Sequence, residues 1–401
     1  MVRLKLFVGD ERATFFWWLI LLFVFSIPVS QFFSIRLLIV TLVVSFFIKG
    51  DRGKLGSQMW DACLYVAVLV IGLVYSEKFQ IGVKLIETSL SLLILPIIFN
   101  KVDNFNREKL KTVFYTFASG LLIASLICLL HATILFSKGE GSQVFFFNQL
   151  TLIIDSQPTY FAYYLIAVIT FGLYLLYYEE TKLLRVYIIL LVGFFLIMLL
   201  LTRGLTASVS LLFIVAFFLL KYLQETKTKR KTTTFGVVVV IVICMFAFNT
   251  VNREDGPDGR RNDYWERLVL WESALKATPN FMFGAGTGDY KMVLNSYYES
   301  HDLRQYAESN SNAHNQFIEV FLSNGLLGVI SLLLLMSRPL YRSVRDSNIL
   351  GVLIFFPFLI YGMTEVFLGR YQGVVFFALM HQTFLVHYLS YKPSFSMKDG
   401  Q

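Results

Sequence analysis

Charge is scarce in this chain. Asp, Glu, Lys and Arg make up 15% of its 401 residues, against roughly 25% in a soluble domain. Cysteine is scarcer still. Cys63, Cys128 and Cys244 all lie inside apolar stretches, without CxxC or paired spacing. That pattern implies neither a disulfide framework nor a zinc site and leaves the thiols as buried packing. Glycine clusters at FGAGTGDY (283–290), but the run follows no strand. A dinucleotide fingerprint is therefore excluded, and a tight turn is expected.

What the chain has in excess is apolar and aromatic. Hydrophobic residues make up 56%, with 40 Phe and 21 Tyr, and the mean hydropathy is +0.63. A bilayer is the solvent that suits such a composition, with aromatics on lipid-facing and interfacial positions. The net charge of +8 is spread over short loops between apolar runs. It reads as topology rather than as a nucleic-acid footprint, so membrane lipids are expected partners and nucleic acid is not.

A span needs about 20 mostly apolar residues. On that criterion the sequence predicts an all-α integral membrane fold of about twelve helices. They fall near 13–30, 32–49, 60–75, 82–99, 112–136, 158–178, 184–201, 204–223, 234–250, 316–337, 348–367 and 371–389. The first apolar run follows Arg3, Lys5 and Arg12 but lacks a small-residue cleavage site, so a retained helix is expected rather than a signal peptide. With both termini cytoplasmic, the inner segments hold 22 Lys and Arg. The short outer loops hold four: Lys78, Lys138, Arg203 and Arg370. That bias favours this orientation.

The division that follows is nine helices over 1–250, one large outward loop over 251–315, and three helices with a cytoplasmic tail over 316–401, all one membrane domain. The loop is too short for a sizeable core of its own and must lean on the spans. Its entry, EDGPDGRRND (254–263), reads as a solvated turn-rich segment in preference to a calcium site. In NDYWERLVLWESALKATPN (262–280), Tyr264, Leu268, Trp271 and Leu275 form one apolar stripe. The spacing predicts an amphipathic helix along the outer membrane surface, ended by Pro279.

Chemistry concentrates at the outer edge. In SNAHNQFIEVFLSNGLLG (311–328), polar residues give way to a membrane helix just after His314. Ser311 or Asn312 as N-cap would put His314 in the first turn. There the positive end of the helix dipole disfavours imidazolium and leaves a neutral base. The competing reading is an interfacial histidine that only caps or hydrogen-bonds. Arg203, in LLLTRGLTAS, is a charge at the edge of two apolar runs, costly without a partner. Its plainer reading is snorkelling from a helix end. Arg267 lies near Tyr264 and Trp271 on the surface helix, with a salt bridge to Glu266 or Glu272 as its plainer reading.

An arginine fork makes bidentate, always-charged bonds to a diphosphate without a metal. No D-x-D pair occurs in an outer loop, which argues against metal-dependent sugar-nucleotide chemistry, and no cofactor is implied. Asn315, Glu319, Glu365, Arg370 and Trp271 are candidate supporting residues. A structural pairing of Glu365 with Arg370 is the alternative for those two. Asp155, Pro158 and Tyr160 open the sixth span as weaker candidates for an outer cleft.

At these residues the sequence resembles the O-antigen ligase and polymerase family of bacterial polysaccharide assembly. The resemblance rests on TRG (202–204), the run from Arg267 through Trp271 to Gly284, Gly286 and Gly288, and AHNQFIEVFLSNGLLG (313–328). It implies a GT-C-like, metal-independent inverting glycosyltransferase of the bacterial inner membrane. The donor would be a glycan on undecaprenyl diphosphate, the acceptor lipid A core or another glycan, and the reaction would run at the periplasmic face. Arg203 and Arg267 match arginines expected to hold the diphosphate, and His314 matches the histidine expected to activate the acceptor hydroxyl. Ligase activity is the reading adopted. Polymerase and protein O-oligosaccharyltransferase are the rivals within the family. A transporter, the rival outside it, would place its polar residues at mid-membrane.

Overall fold

The computed structural model describes residues 11–50, 52–178, 182–225 and 264–390. The expected helix at 234–250, the entry 254–263 and Cys244 lie outside the described residues. Among those that are described, the chain is helical and has no strand. This is what apolar sequence in a bilayer must do, because a helix satisfies its own backbone donors and acceptors where water cannot.

In chain order the helices are α1 (Glu11–Ser26), α2 (Gln31–Ser45), α3 (Arg52–Val74), α4 (Phe79–Ser89), α5 (Ser91–Phe99), α6 (Arg107–Ser137), α7 (Phe147–Thr151), α8 (Pro158–Tyr178), α9 (Lys182–Leu201) and α10 (Leu205–Glu225). After the undescribed stretch come α11 (Tyr264–Ala277), α12 (Tyr290–Ser300), α13 (Arg304–Glu308), α14 (Gln316–Arg345), α15 (Ile349–Thr364) and α16 (Tyr371–Ser390). Six helical stretches are long and apolar enough to cross a membrane: Lys54–Val74, Phe79–Phe99, Arg107–Ser137, Pro158–Tyr177, Leu183–Leu201 and Gln316–Arg345. Shorter apolar helices run over Gln31–Ser45, Leu205–Leu219, Ile349–Thr364 and Tyr371–Val386. The chain is thus a multi-pass helical membrane protein. Its centre is α8, where Tyr163 stacks on Tyr361 at 4.3 Å and Tyr164 packs on Phe376 at 4.7 Å.

Two features of α14 differ from the expected simple span. The helix is broken at Gly325, which has φ +61°, and the glycine run is not a free turn but fills the break. Ala285 N donates to Leu322 O (2.8 Å), Gly286 N to Ser323 O (2.8 Å) and Leu326 N to Phe281 O (2.8 Å). These bonds satisfy backbone groups that the break would otherwise strand in an apolar setting. Only glycine allows the approach. A Cβ on Gly325 would stand 2.4 Å from the Met282 carbonyl carbon, and one on Gly284 would stand 2.6 Å from Asn324 N.

The other difference lies toward the C-terminal end of α14. Arg338, expected among the loop charges, is 8% exposed and donates to Asp61 Oδ1 at 2.6 Å and to the Ser57 carbonyl. Asp61 Oδ2 is 2.8 Å from His381 Nε2. A buried ionic cluster therefore ties α3, α14 and α16 together.

Helices α11 to α13 pack together as a small subdomain. Leu270, Ala274, Leu294, Tyr298 and Tyr306 make a small cluster that takes in Leu322 of α14, so the loop leans on a span as its size demands. Helix α11 ends at Ala277, just before Pro279. Two positions of the expected membrane-facing stripe stay off the protein core. Leu270 and Ala274 are buried, whereas Leu268 and Leu275 are exposed at 48% and 49%. A protein partner, α12, takes the 270/274 face and leaves the 268/275 face outward.

Candidate active site

The turn before α14 is built by side chains. Asn315 is the N-cap, and its Oδ1 accepts from Phe317 N (3.0 Å) and Ile318 N (3.2 Å). This corrects the expected cap at Ser311 or Asn312, and it moves His314 one residue outside the helix. Asn312 has a different task, since its Oδ1 accepts from His314 N at 3.0 Å. Ala313 N donates to Glu319 Oε2 at 3.0 Å. Between these two bonds His314 adopts the left-handed conformation, φ +44°. The first-turn dipole argument therefore loses force, and the electrostatic partner of the imidazole is a carboxylate.

That carboxylate is Glu365, the residue that follows α15. Its Oε2 lies 3.5 Å from His314 Nδ1, and its Oε1 lies 3.6 Å from Arg267 Nη2. Arg267 Nη1 also donates to the Thr364 carbonyl at 2.7 Å. The side chains of Glu365, Arg267 and His314 are 25%, 34% and 43% exposed, partly desolvated at an open mouth. Arg267 is not bound to Glu272, which pairs with Lys276 at 2.6 Å. The hydrogen bond from Lys276 holds the Glu272 carboxyl below its ordinary range.

Arg203 stands at the junction of α9 and α10. Three residues on, Thr206 Oγ1 is 3.0 Å from Thr364 Oγ1, so the start of α10 is fastened to the residue beside Glu365. The Arg203 guanidinium lies 4.2 Å over the Phe146 ring, while its Nε is buried without a hydrogen-bond partner. Like His314, Arg203 has positive φ, +51°. Non-glycine residues held in this region carry strain, and such strain concentrates at functional sites.

The linker from Glu365 to Arg370 and the start of α16 are held by side-chain hydrogen bonds. Tyr160 OH donates to Val366 O (3.3 Å), Leu368 N to Gln316 Oε1 (2.7 Å), and Gln372 Nε2 to Asp155 O (2.8 Å). Arg370 does not pair with Glu365. With the Gln157 amide oxygen turned toward it, both its terminal nitrogens donate to that oxygen, at 3.0 and 3.1 Å. Asp155 and Tyr160 thus serve the linker through backbone contacts. Trp271 has a buried indole nitrogen with no partner. Among the described residues, no three His, Cys, Asp or Glu side chains are grouped to hold a metal.

An imidazole beside a carboxylate is equipped to take a proton and have the resulting charge balanced. A guanidinium on the same carboxylate is equipped to bind an anion once released. Sequence reasoning found all three residues but not their meeting point. The one signal for it was two charged positions, Glu365 and Arg370, in a short linker.

A helical multi-pass membrane protein with an ionic cluster at one edge defines a broad class, and comparison with known proteins narrows it. The family model for O-antigen ligase matches residues 188–333. The matched span includes Arg203, Arg267, His314 and Glu319 and stops before Glu365. Residues 188–333 are thus similar to the O-antigen ligase family, which is one of glycosyltransferase-like enzymes. An uncharacterized protein of Haemophilus influenzae is 25% identical over 138 residues, 32% of this chain. The match spans 33% of that relative's own length.

Proposed function

We propose that this protein transfers a glycan from undecaprenyl diphosphate to lipid A core at the outer face of the bacterial inner membrane. The observation that carries the reading is the meeting of His314 and Arg267 on one carboxylate, Glu365. His314 takes the proton of the acceptor hydroxyl. The hydroxyl oxygen attacks the anomeric carbon from the side opposite the diphosphate, the bond to the diphosphate breaks, and the configuration inverts. Arg203 and Arg267 hold the diphosphate through donor binding and departure, with no metal required. Glu365 balances the imidazolium. A general base contributes about 10² to 10⁴-fold, and charge stabilisation at the leaving group a comparable amount.

Within the same reading the architecture is GT-C-like, with about twelve spans, both termini cytoplasmic and the 251–315 loop in the periplasm. Deletion of the gene tests the assignment through the surface glycans. Loss of all long chains from lipid A core is the expected result for a ligase. A single repeat still attached to core would assign a polymerase instead, and unaltered lipid A core with loss of glycosylated protein would assign a protein transferase. Unchanged glycans throughout would remove the enzyme assignment.

A further inference from the structure

Glu319 touches neither Glu365 nor the arginines, yet two parts of the structure meet on its carboxylate. Its Oε2 accepts from Ala313 N at 3.0 Å. The same carboxylate is hydrogen-bonded by Tyr290, the first residue of α12. All three residues are buried, Ala313 completely. An ionisable side chain in the first turn of a spanning helix is costly to keep, and here it has two specific bonds.

The Ala313 bond is one of two that fold the histidine's turn, the other running from His314 N to Asn312 Oδ1. Without Glu319 the Ala313 N–H would be a buried donor with no acceptor. The chain could then regain a partner by leaving the left-handed conformation at His314, which would carry the imidazole away from Glu365. Tyr290 adds a second hold on the carboxylate. Tyr290 is itself anchored, because the neighbouring Asp289 carboxylate accepts from Glu77 N (2.8 Å) and Lys78 N (2.7 Å).

We infer that Glu319 is a positioning residue for His314, acting as the buried hydrogen-bond acceptor that holds the Ala313–His314 backbone so that the imidazole faces Glu365. The inference rests on the proposed role of His314 as base. What the position needs is an acceptor, not a charge, so Glu319→Gln retains the function and Glu319→Ala loses it.

The test uses the full-length protein in lipid nanodiscs. The donor is undecaprenyl-diphosphate-linked glycan extracted from producing cells, and the acceptor is lipid A core from cells lacking attached glycan. Glu319→Ala is expected to lower kcat by about 10- to 100-fold, the cost of a base displaced by roughly 1 Å, with the donor KM unchanged. Glu319→Gln is expected to restore kcat. A second readout needs no substrate. Acylation of His314 by diethyl pyrocarbonate, followed by mass spectrometry, should change in rate in Glu319→Ala and keep the wild-type rate in Glu319→Gln.

Wild-type kcat and wild-type acylation in Glu319→Ala would overturn the inference, as would a Gln variant as impaired as the Ala variant or a loss confined to donor KM. If Glu319→Ala does not accumulate, the Gln variant decides: a wild-type acylation rate supports the inference and an altered one overturns it. His314→Ala measured in parallel separates the two readings. Full activity in that variant sinks the proposed base, whereas the acylation rates still decide whether Glu319 positions the ring.

Discussion

Glu365 and His314 face each other across the junction of two membrane helices, with Oε2 3.5 Å from Nδ1. The distance is longer than a full hydrogen bond, and the proposed proton transfer requires the pair to tighten when substrate arrives. Both residues stand beside left-handed or extended backbone rather than in a helix: His314 at φ +44° and Glu365 at φ −148°. The helices bring them together, but the residues that meet are the ones that end them.

Glu365→Gln keeps the shape of the side chain and removes the charge that balances an imidazolium. The expected outcome is a fall in kcat of about one to two orders of magnitude, a fraction of what a general base supplies, with membrane abundance unchanged. Glu365→Asp should fall less. Initial rates on purified variants check this, and wild-type rates in Glu365→Gln would remove the carboxylate from the site.

His314→Ala should abolish glycan transfer while leaving insertion and abundance normal, because the imidazole sits half-exposed and not in a packed core. Gel analysis of surface glycans, beside immunodetection in membranes, reads both quantities. Long chains still attached in this variant would rule out the base.

Much of this arrangement was legible in the sequence, and the reasons for the rest are physical. Apolar runs placed α8 and α9 almost to the residue, since length and hydropathy are local properties. His314 and Arg203 stood out for the same reason, as polar interruptions beside apolar runs. The break at Gly325 was hidden because what fills it, Phe281 to Gly286, is some 40 residues away in sequence and pairs through backbone atoms that carry no side-chain signature. The protein-facing side of α11 was hidden for a related reason. The stripe at Leu268 and Leu275 is present, but a tertiary partner made the 270/274 face the buried one. Glu365 was read against its near neighbour Arg370, whereas the fold offered Arg370 a glutamine and gave Glu365 an arginine from another element.

Arg203→Lys and Arg267→Lys retain charge and lose the fork. Donor use is expected to weaken in both, because a point charge cannot make two parallel bonds to a phosphate. Arg267→Lys should also release the Thr364 carbonyl, which the guanidinium now holds at 2.7 Å. Donor saturation curves check the pair, and an unchanged donor KM in both would take them out of the diphosphate site.

Gly325→Ala puts a methyl group where the Met282 carbonyl carbon lies 2.4 Å away, at a φ that L residues rarely adopt. The clash is with backbone, so no rotamer relieves it. A loss of about 1–3 kcal/mol is expected from the conformation alone. It should appear as a lower melting temperature in detergent and as faster proteolysis of the 280–313 segment. A variant as stable as wild type would show that the helix break can close without the inserted chain.

Asp61 tests whether the buried ionic cluster is a structural tie. Its two oxygens serve Arg338 at 2.6 Å and His381 at 2.8 Å, with no exposure to solvent. Asp61→Asn would leave the Arg338 charge inside the membrane domain without its counter-ion. Breaking a buried pair on one side costs about 3–5 kcal/mol, whereas replacing both partners with apolar side chains is often neutral. The expected order of thermal stability is therefore wild type, close to the Asp61→Leu/Arg338→Met double variant, and well above Asp61→Asn. Because the cluster lies toward the opposite end of α14 from His314, the double variant should also retain glycan transfer. A double variant that is stable but inactive would mean that the charges themselves, and not only the tie between helices, serve the reaction.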